Sequence, residues 1–92
     1  MTSHAVWKGF FSNWPTGIPH RGVLMNSLNE AMPFKGFMVK EDVLLLERTN
    51  VDPLGARFIL LSFDAISSVK LVDPMKESVF TAAGFLGKFE KN

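Results

Sequence analysis

The segment Arg57-Phe58-Ile59-Leu60-Leu61-Ser62-Phe63 reads as a strand that is apolar on both faces, because Phe58 and Leu60 alternate with Ile59 and Leu61. The chain has 92 residues, which suits one domain over 1–92 and a core too small to cover both sides of such a strand. One face is therefore expected to meet another subunit. Composition points the same way: 47% of the residues are hydrophobic and only 21% charged, with nine Phe. That excludes a disordered chain, and it would leave apolar surface uncovered in a monomer. The expectation is an obligate homo-oligomer.

Short elements follow one another closely. Trp7, Phe10, Phe11 and Trp14 recur at helical spacing and predict a short helix over about 4–14 that Pro15 ends. Its aromatic face is read as a cap on the strands, or alternatively as a groove binder for a partner protein. Thr16-Gly17-Ile18-Pro19-His20 is a linker. Strands are expected over Arg21–Asn29, Phe34–Lys40, Val43–Arg48, Arg57–Phe63 and Ile66–Val72, with a turn at Glu30-Ala31-Met32-Pro33 and a loop over Asn50–Gly55. Gly36 lies inside the second strand, where a glycine marks a bend or a close backbone approach. Asp73 and Pro74 suit the N-cap and first position of a C-terminal helix whose apolar side holds Val79, Phe80, Ala83, Leu86 and Phe89. Gly84 and Gly87 weaken its second half, so the apolar segment 74–89 is either a helix or an irregular tail.

Most catalytic chemistries find no support. Cysteine is absent, which removes thiolate catalysis, disulfides and sulfur-bound zinc and fits a reducing, cytoplasmic location. His4, near the start, and His20, in the linker, read as surface residues with no nucleophile motif beside them. No phosphate-binding glycine loop, G-x-S-x-G or H-E-x-x-H occurs. Neither an enzyme nor a cofactor is expected. The net charge of +1 is too small for nucleic-acid binding by bulk charge, so any anion site would be local. The longest apolar run, Val43-Leu44-Leu45-Leu46, is far short of the roughly 20 residues of a membrane span. Met1-Thr2-Ser3-His4 does not read as the start of a secretory signal.

A short helix, five closely spaced strands and a bending glycine in the second strand resemble the Sm, Lsm and Hfq family. In the family's first motif a glycine is followed two positions later by a hydrophobic residue and six positions later by an aspartate; here these are Gly36, Met38 and Asp42. The string Asp64-Ala65-Ile66-Ser67-Ser68-Val69 is similar to the second motif. The resemblance spans roughly Arg21 to Val72. It implies a strongly bent five-stranded Sm-like barrel over about 21–72, assembled by edge-strand pairing of Arg57–Phe63 with Ile66–Val72 into a closed ring of five to eight copies.

The resemblance also implies a protein that binds single-stranded RNA or serves as an RNA-associated scaffold, with RNA at the turns: Lys40 meeting phosphate, Phe63 stacking on a base, and Asp42 and Asp64 beside them. The chain departs from the family at these positions. Val43-Leu44-Leu45-Leu46 stands where most members carry a base-reading asparagine, and Ser62-Phe63-Asp64 stands where they carry Arg-Gly or Lys-His. Each site residue therefore has a second reading. Phe63 suits a core or interface plug, Lys40 a solvated lysine, and Asp42 and Asp64 turn-forming acceptors. Glu41, Asp42 and Asp64 repeated around a ring would form an acidic rim that repels phosphate. The alternative is a ring that serves as a structural scaffold or protein adaptor without RNA.

Overall fold

A computed structural model describes residues 3–89. Its elements are α1 (Ser3–Ser12), β1 (Gly22–Asn26), β2 (Ala31–Lys40), β3 (Val43–Arg48), β4 (Phe58–Ser62), a 3-10 turn (Phe63–Ala65), β5 (Ile66–Lys70) and α2 (Glu77–Ala82). The five strands form one antiparallel sheet in the order β4-β3-β2-β1-β5. The expected mainly β fold with a helix near each end is present. The sheet is open rather than closed into a barrel: β4 and β5 are its two edges.

One face of the sheet carries the core. Leu24 on β1, Phe34 on β2, and Leu44 and Leu46 on β3 are buried, with Phe37, Val39, Ile59, Leu61 and Val69 packed around them. α1 lies over this face. Phe11 meets the ring of Phe37 edge-on at 4.9 Å, and Trp14, just past the helix, lies 4.9 Å from Phe37 and 5.2 Å from Phe11. The indole Nε1 of Trp14 donates to the Ile18 carbonyl at 2.9 Å, a buried bond that folds the Pro15–Pro19 linker back toward the sheet. The four aromatics chosen by helical spacing thus serve the core: Phe11 and Trp14 are buried, and Trp7 and Phe10 pack at its margin.

The sheet is irregular where the sequence places small or turn-forming residues. β2 shifts register against β3 between Phe34 and Gly36, a bulge at the expected bend. A second shift, between Met25 and Asn26, lies on β1 against β5. The turn expected at Glu30–Pro33 falls earlier, because the buried Asn26 forms it. Asn26 Oδ1 accepts from the Leu28 and Glu30 amides at 3.0 and 2.9 Å, and its Nδ2 donates to Glu30 Oε1 at 2.8 Å. β2 accordingly begins at Ala31, with Pro33 inside it. Pro33 sits opposite Val23 of β1 and ahead of the first β2–β3 pair, Phe34 with Arg48, and its carbonyl accepts the Thr49 amide at 3.1 Å.

The C-terminal segment departs further from expectation. Asp73 does not cap α2; its carboxylate takes the Arg21 guanidinium, with Nε at 2.9 Å from Oδ2, and ties the segment to the start of β1. α2 has six residues and ends at Ala82; Gly84, two residues on, has a φ of 104° in the left-handed region. The Phe85 amide donates to the Phe80 carbonyl and the Gly84 amide to that of Thr81, a closing motif in which Phe80 and Phe85 also touch, at 6.3 Å. Beyond it the chain is irregular, and Phe85, Leu86 and Phe89 remain exposed.

Candidate functional site

The two turns named by the resemblance meet at the start of α1. The β2–β3 hairpin turns through Glu41-Asp42, with Glu41 at a φ of 51°. β4 passes to β5 through the 3-10 turn, which Ser62 begins by accepting the Asp64 amide on its hydroxyl at 3.2 Å. His4 and Lys8, one helical turn apart, reach both. His4 Nε2 lies 3.2 Å from Asp42 Oδ1 and its Nδ1 lies 3.5 Å from Asp64 Oδ1, while Lys8 Nζ donates to Asp42 Oδ1 at 2.8 Å. A neutral imidazole donates from one nitrogen at a time, so the two His4 contacts alternate unless the ring is charged. The edge of the His4 ring also rests on Phe63, at 5.7 Å between centroids.

These contacts change the electrostatics expected of the turns. The bond from Lys8, and then that from His4, holds the Asp42 carboxyl below its ordinary value of 3.8. The acidic rim anticipated from Glu41, Asp42 and Asp64 is therefore partly balanced, at the two aspartates, by His4 and Lys8 of α1. Both carboxylates remain mostly exposed, with 66% and 69% of their side-chain surface open, so the balance is screened by salt.

Phe63 requires a correction. Its exposure is 0%, and Phe11 and His4 lie against its ring. A base needs an open ring face to stack on, and Phe63 offers none here; it is the core plug of the β4–β5 turn. Lys40 is exposed at the end of β2, across from Val43, and is free of the core. Gly36 lies beside the bulge, where a β-carbon would come within 3.3 Å of the Glu47 carboxylate, the far end of a long side chain that also faces Lys35 at 4.0 Å. The closer approach is at Gly22, where a β-carbon would overlap the Lys70 carbonyl oxygen.

Reading the sequence missed His4, Lys8, Gly22 and the role of His20, because their partners are remote in the chain. His20 is exposed, as expected, but stacks on Phe37 at 5.2 Å with Trp14 alongside at 5.8 Å, whereas His4 is half-buried. Chemically, the turns present exposed charge of both signs around the buried Phe63 ring, a surface suited to binding. Among the described residues no group of three or more His, Cys, Asp or Glu could hold a metal ion, and no helix is long and apolar enough to cross a membrane. No family model matches the chain, nor does any curated protein or solved structure.

Proposed function

We propose that the chain is an Sm-like scaffold subunit that assembles through its sheet edges, β4 of one copy pairing with β5 of the next, into a closed ring of five to eight copies. The observation that carries this reading is the strand order. It leaves two edges of equal length, Phe58–Ser62 and Ile66–Lys70, at opposite sides of one sheet. Unpaired edges template further pairing, and here the missing neighbour of each edge is the other edge of an identical chain. The bulges in β1 and β2 support the bent, barrel-like form that such a ring needs. Light scattering from micromolar solutions tests it: a discrete multiple of the 10.3 kDa chain is expected, and a stable 10.3 kDa particle overturns it.

A second reading, binding of single-stranded RNA, is favoured by one observation. The two turns converge, with Lys8 and His4 joining them and Lys40 exposed at the end of β2. With Phe63 buried, this reading rests on phosphate contacts alone. Short U-rich and A-rich oligonucleotides titrated at several salt concentrations decide it. Binding that weakens with salt, with a slope reduced by about one in Lys40→Ala, supports RNA. No binding at low salt, with the assembly intact, leaves the scaffold alone.

A further inference from the structure

Three cations gather where β3 ends and β4 begins. Arg48 and Arg57 are direct neighbours across the two strands, the Arg48 amide donating to the Arg57 carbonyl at 2.9 Å, and Lys35 of β2 lines the same cleft. Like charges set opposite each other on neighbouring strands destabilise a sheet, so an anion between them would relieve the repulsion. Glu47 is the one carboxylate among the residues lining the cleft, and it faces Lys35 at 4.0 Å. Arg48 Nε donates to the Asn50 carbonyl at 3.0 Å, a neutral partner that leaves its charge uncompensated. Asp52, in the loop that follows, is committed elsewhere: its Oδ1 accepts the Leu54 and Ala56 amides at 2.9 and 2.8 Å. Three cations against one carboxylate make a local charge of +2, in a chain whose total is +1.

The cleft holds about 290 Å3, and Thr49 lines it with a hydroxyl able to donate. Phe58 forms another part of its wall. The same Phe58 lines an adjoining cleft of about 230 Å3 with Met38 and Leu45 on the sheet face opposite the core. Phe58 is 59% exposed where Phe63 is fully buried, so it offers the ring surface that Phe63 lacks.

We propose that the two adjoining clefts bind a nucleoside phosphate. Arg48 and Arg57 hold the phosphate through their planar forks, and the base lies against Phe58. The site is built from one copy and lies at the far end of β3 from the turn that joins Lys40 to Val43. It therefore depends neither on a ring nor on RNA at the turns. A free nucleotide and a nucleic-acid strand offer the same phosphate and base, and the experiment separates them.

ADP is the probe, titrated by calorimetry into the full chain at low salt, with adenosine and inorganic phosphate alongside. Arg57→Gln should weaken ADP binding by about tenfold, and Phe58→Ala by about tenfold as well. Lys88→Gln, an equal change of charge on the C-terminal segment, should leave it unchanged. ADP binding that ignores Arg57→Gln, or adenosine binding as tightly as ADP, overturns the phosphate site. Binding that ignores Phe58→Ala overturns the base contact, and no binding at low salt overturns both. A short U-rich oligonucleotide that ADP displaces, and that both variants weaken, supports this site with a strand as its source; ADP binding with no competition from the oligonucleotide supports it with free nucleotide. Thermal melts separate lost binding from lost fold. Without ligand Arg57→Gln should melt no lower than the parent, because it removes the repulsion from Arg48. A lower melt would assign Arg57 to the fold and overturn its role at the phosphate.

Discussion

Gly22 of β1 lies so close to the carbonyl of Lys70 on β5 that no side chain fits between the two strands. The neighbour is backbone and cannot swing aside. Gly22→Ala should therefore cost about 1–3 kcal/mol, the range for forcing an extra carbon into a packed region. Gly36→Ala should cost less, because its closest neighbour is the movable end of Glu47. Urea midpoints of the two variants test the ranking, and equal or reversed losses would show that the β1–β5 joint is looser than described.

Phe63 belongs to stability. Truncation to alanine should cost about 3–5 kcal/mol, a large share of what a domain of this size possesses. Phe63→Leu keeps most of the volume and should remain folded with a lowered melting temperature. Chemical denaturation followed by circular dichroism separates these outcomes, and an unchanged midpoint in Phe63→Ala would mean that the ring is not in the core.

Asn26 holds the β1–β2 hairpin with both its backbone and its side chain. Asn26→Ala leaves the Leu28 and Glu30 amides without their acceptor and should destabilise by about 1–3 kcal/mol. Asn26→Asp keeps the acceptor but sets a carboxylate against Glu30, so part of the loss should persist. A thermal melt in which both variants match the parent would remove Asn26 from the turn.

Acid should weaken the fold through Asp73 and Asp42. A hydrogen bond from Arg21, then its charge, lowers the Asp73 carboxyl, and Lys8 followed by His4 lowers that of Asp42. A carboxyl depressed by folding binds fewer protons in the folded chain than in the unfolded one. Its contribution is present above the ordinary value of 3.8 and is lost as pH falls through the lower folded value. Urea midpoints measured from pH 6 downward should fall less steeply for Asp73→Asn and Asp42→Asn than for the parent, and added salt should shrink the difference. Parallel curves would show that neither pair matters.

What could be read from the chain depended on how far apart the interacting residues lie. The i, i+3, i+4, i+7 aromatics of α1 and of Trp14 just past it, and the apolar runs of β3 and β4, are local patterns, and their elements stand within a few residues of expectation. The glycine bend in β2 was also local and coincides with the register shift at Phe34–Gly36. Pro33 misled because Asn26 forms the turn earlier. Asp73-Pro74 looked like a helix start because nothing nearby shows that Arg21 takes the carboxylate. At the candidate site, Asp42 and Asp64 were identified by motif, but His4 stands 38 residues from Asp42, and no spacing rule reaches that far. Phe63 was legible as either plug or platform, and only the position of α1 over it decides.

The bond from Trp14 to Ile18 also makes the molecule its own optical instrument. The two tryptophans of the sequence, Trp7 and Trp14, sit within or just past α1, none on the strands. Trp14 is shielded and hydrogen-bonded, whereas Trp7 lies at the margin. Emission from this chain thus reports on the joint between helix and sheet. A loosening of α1 that spares the strands would shift it to the red while the far-ultraviolet signature of the strands stayed in place, so partial opening and global unfolding have separate colours.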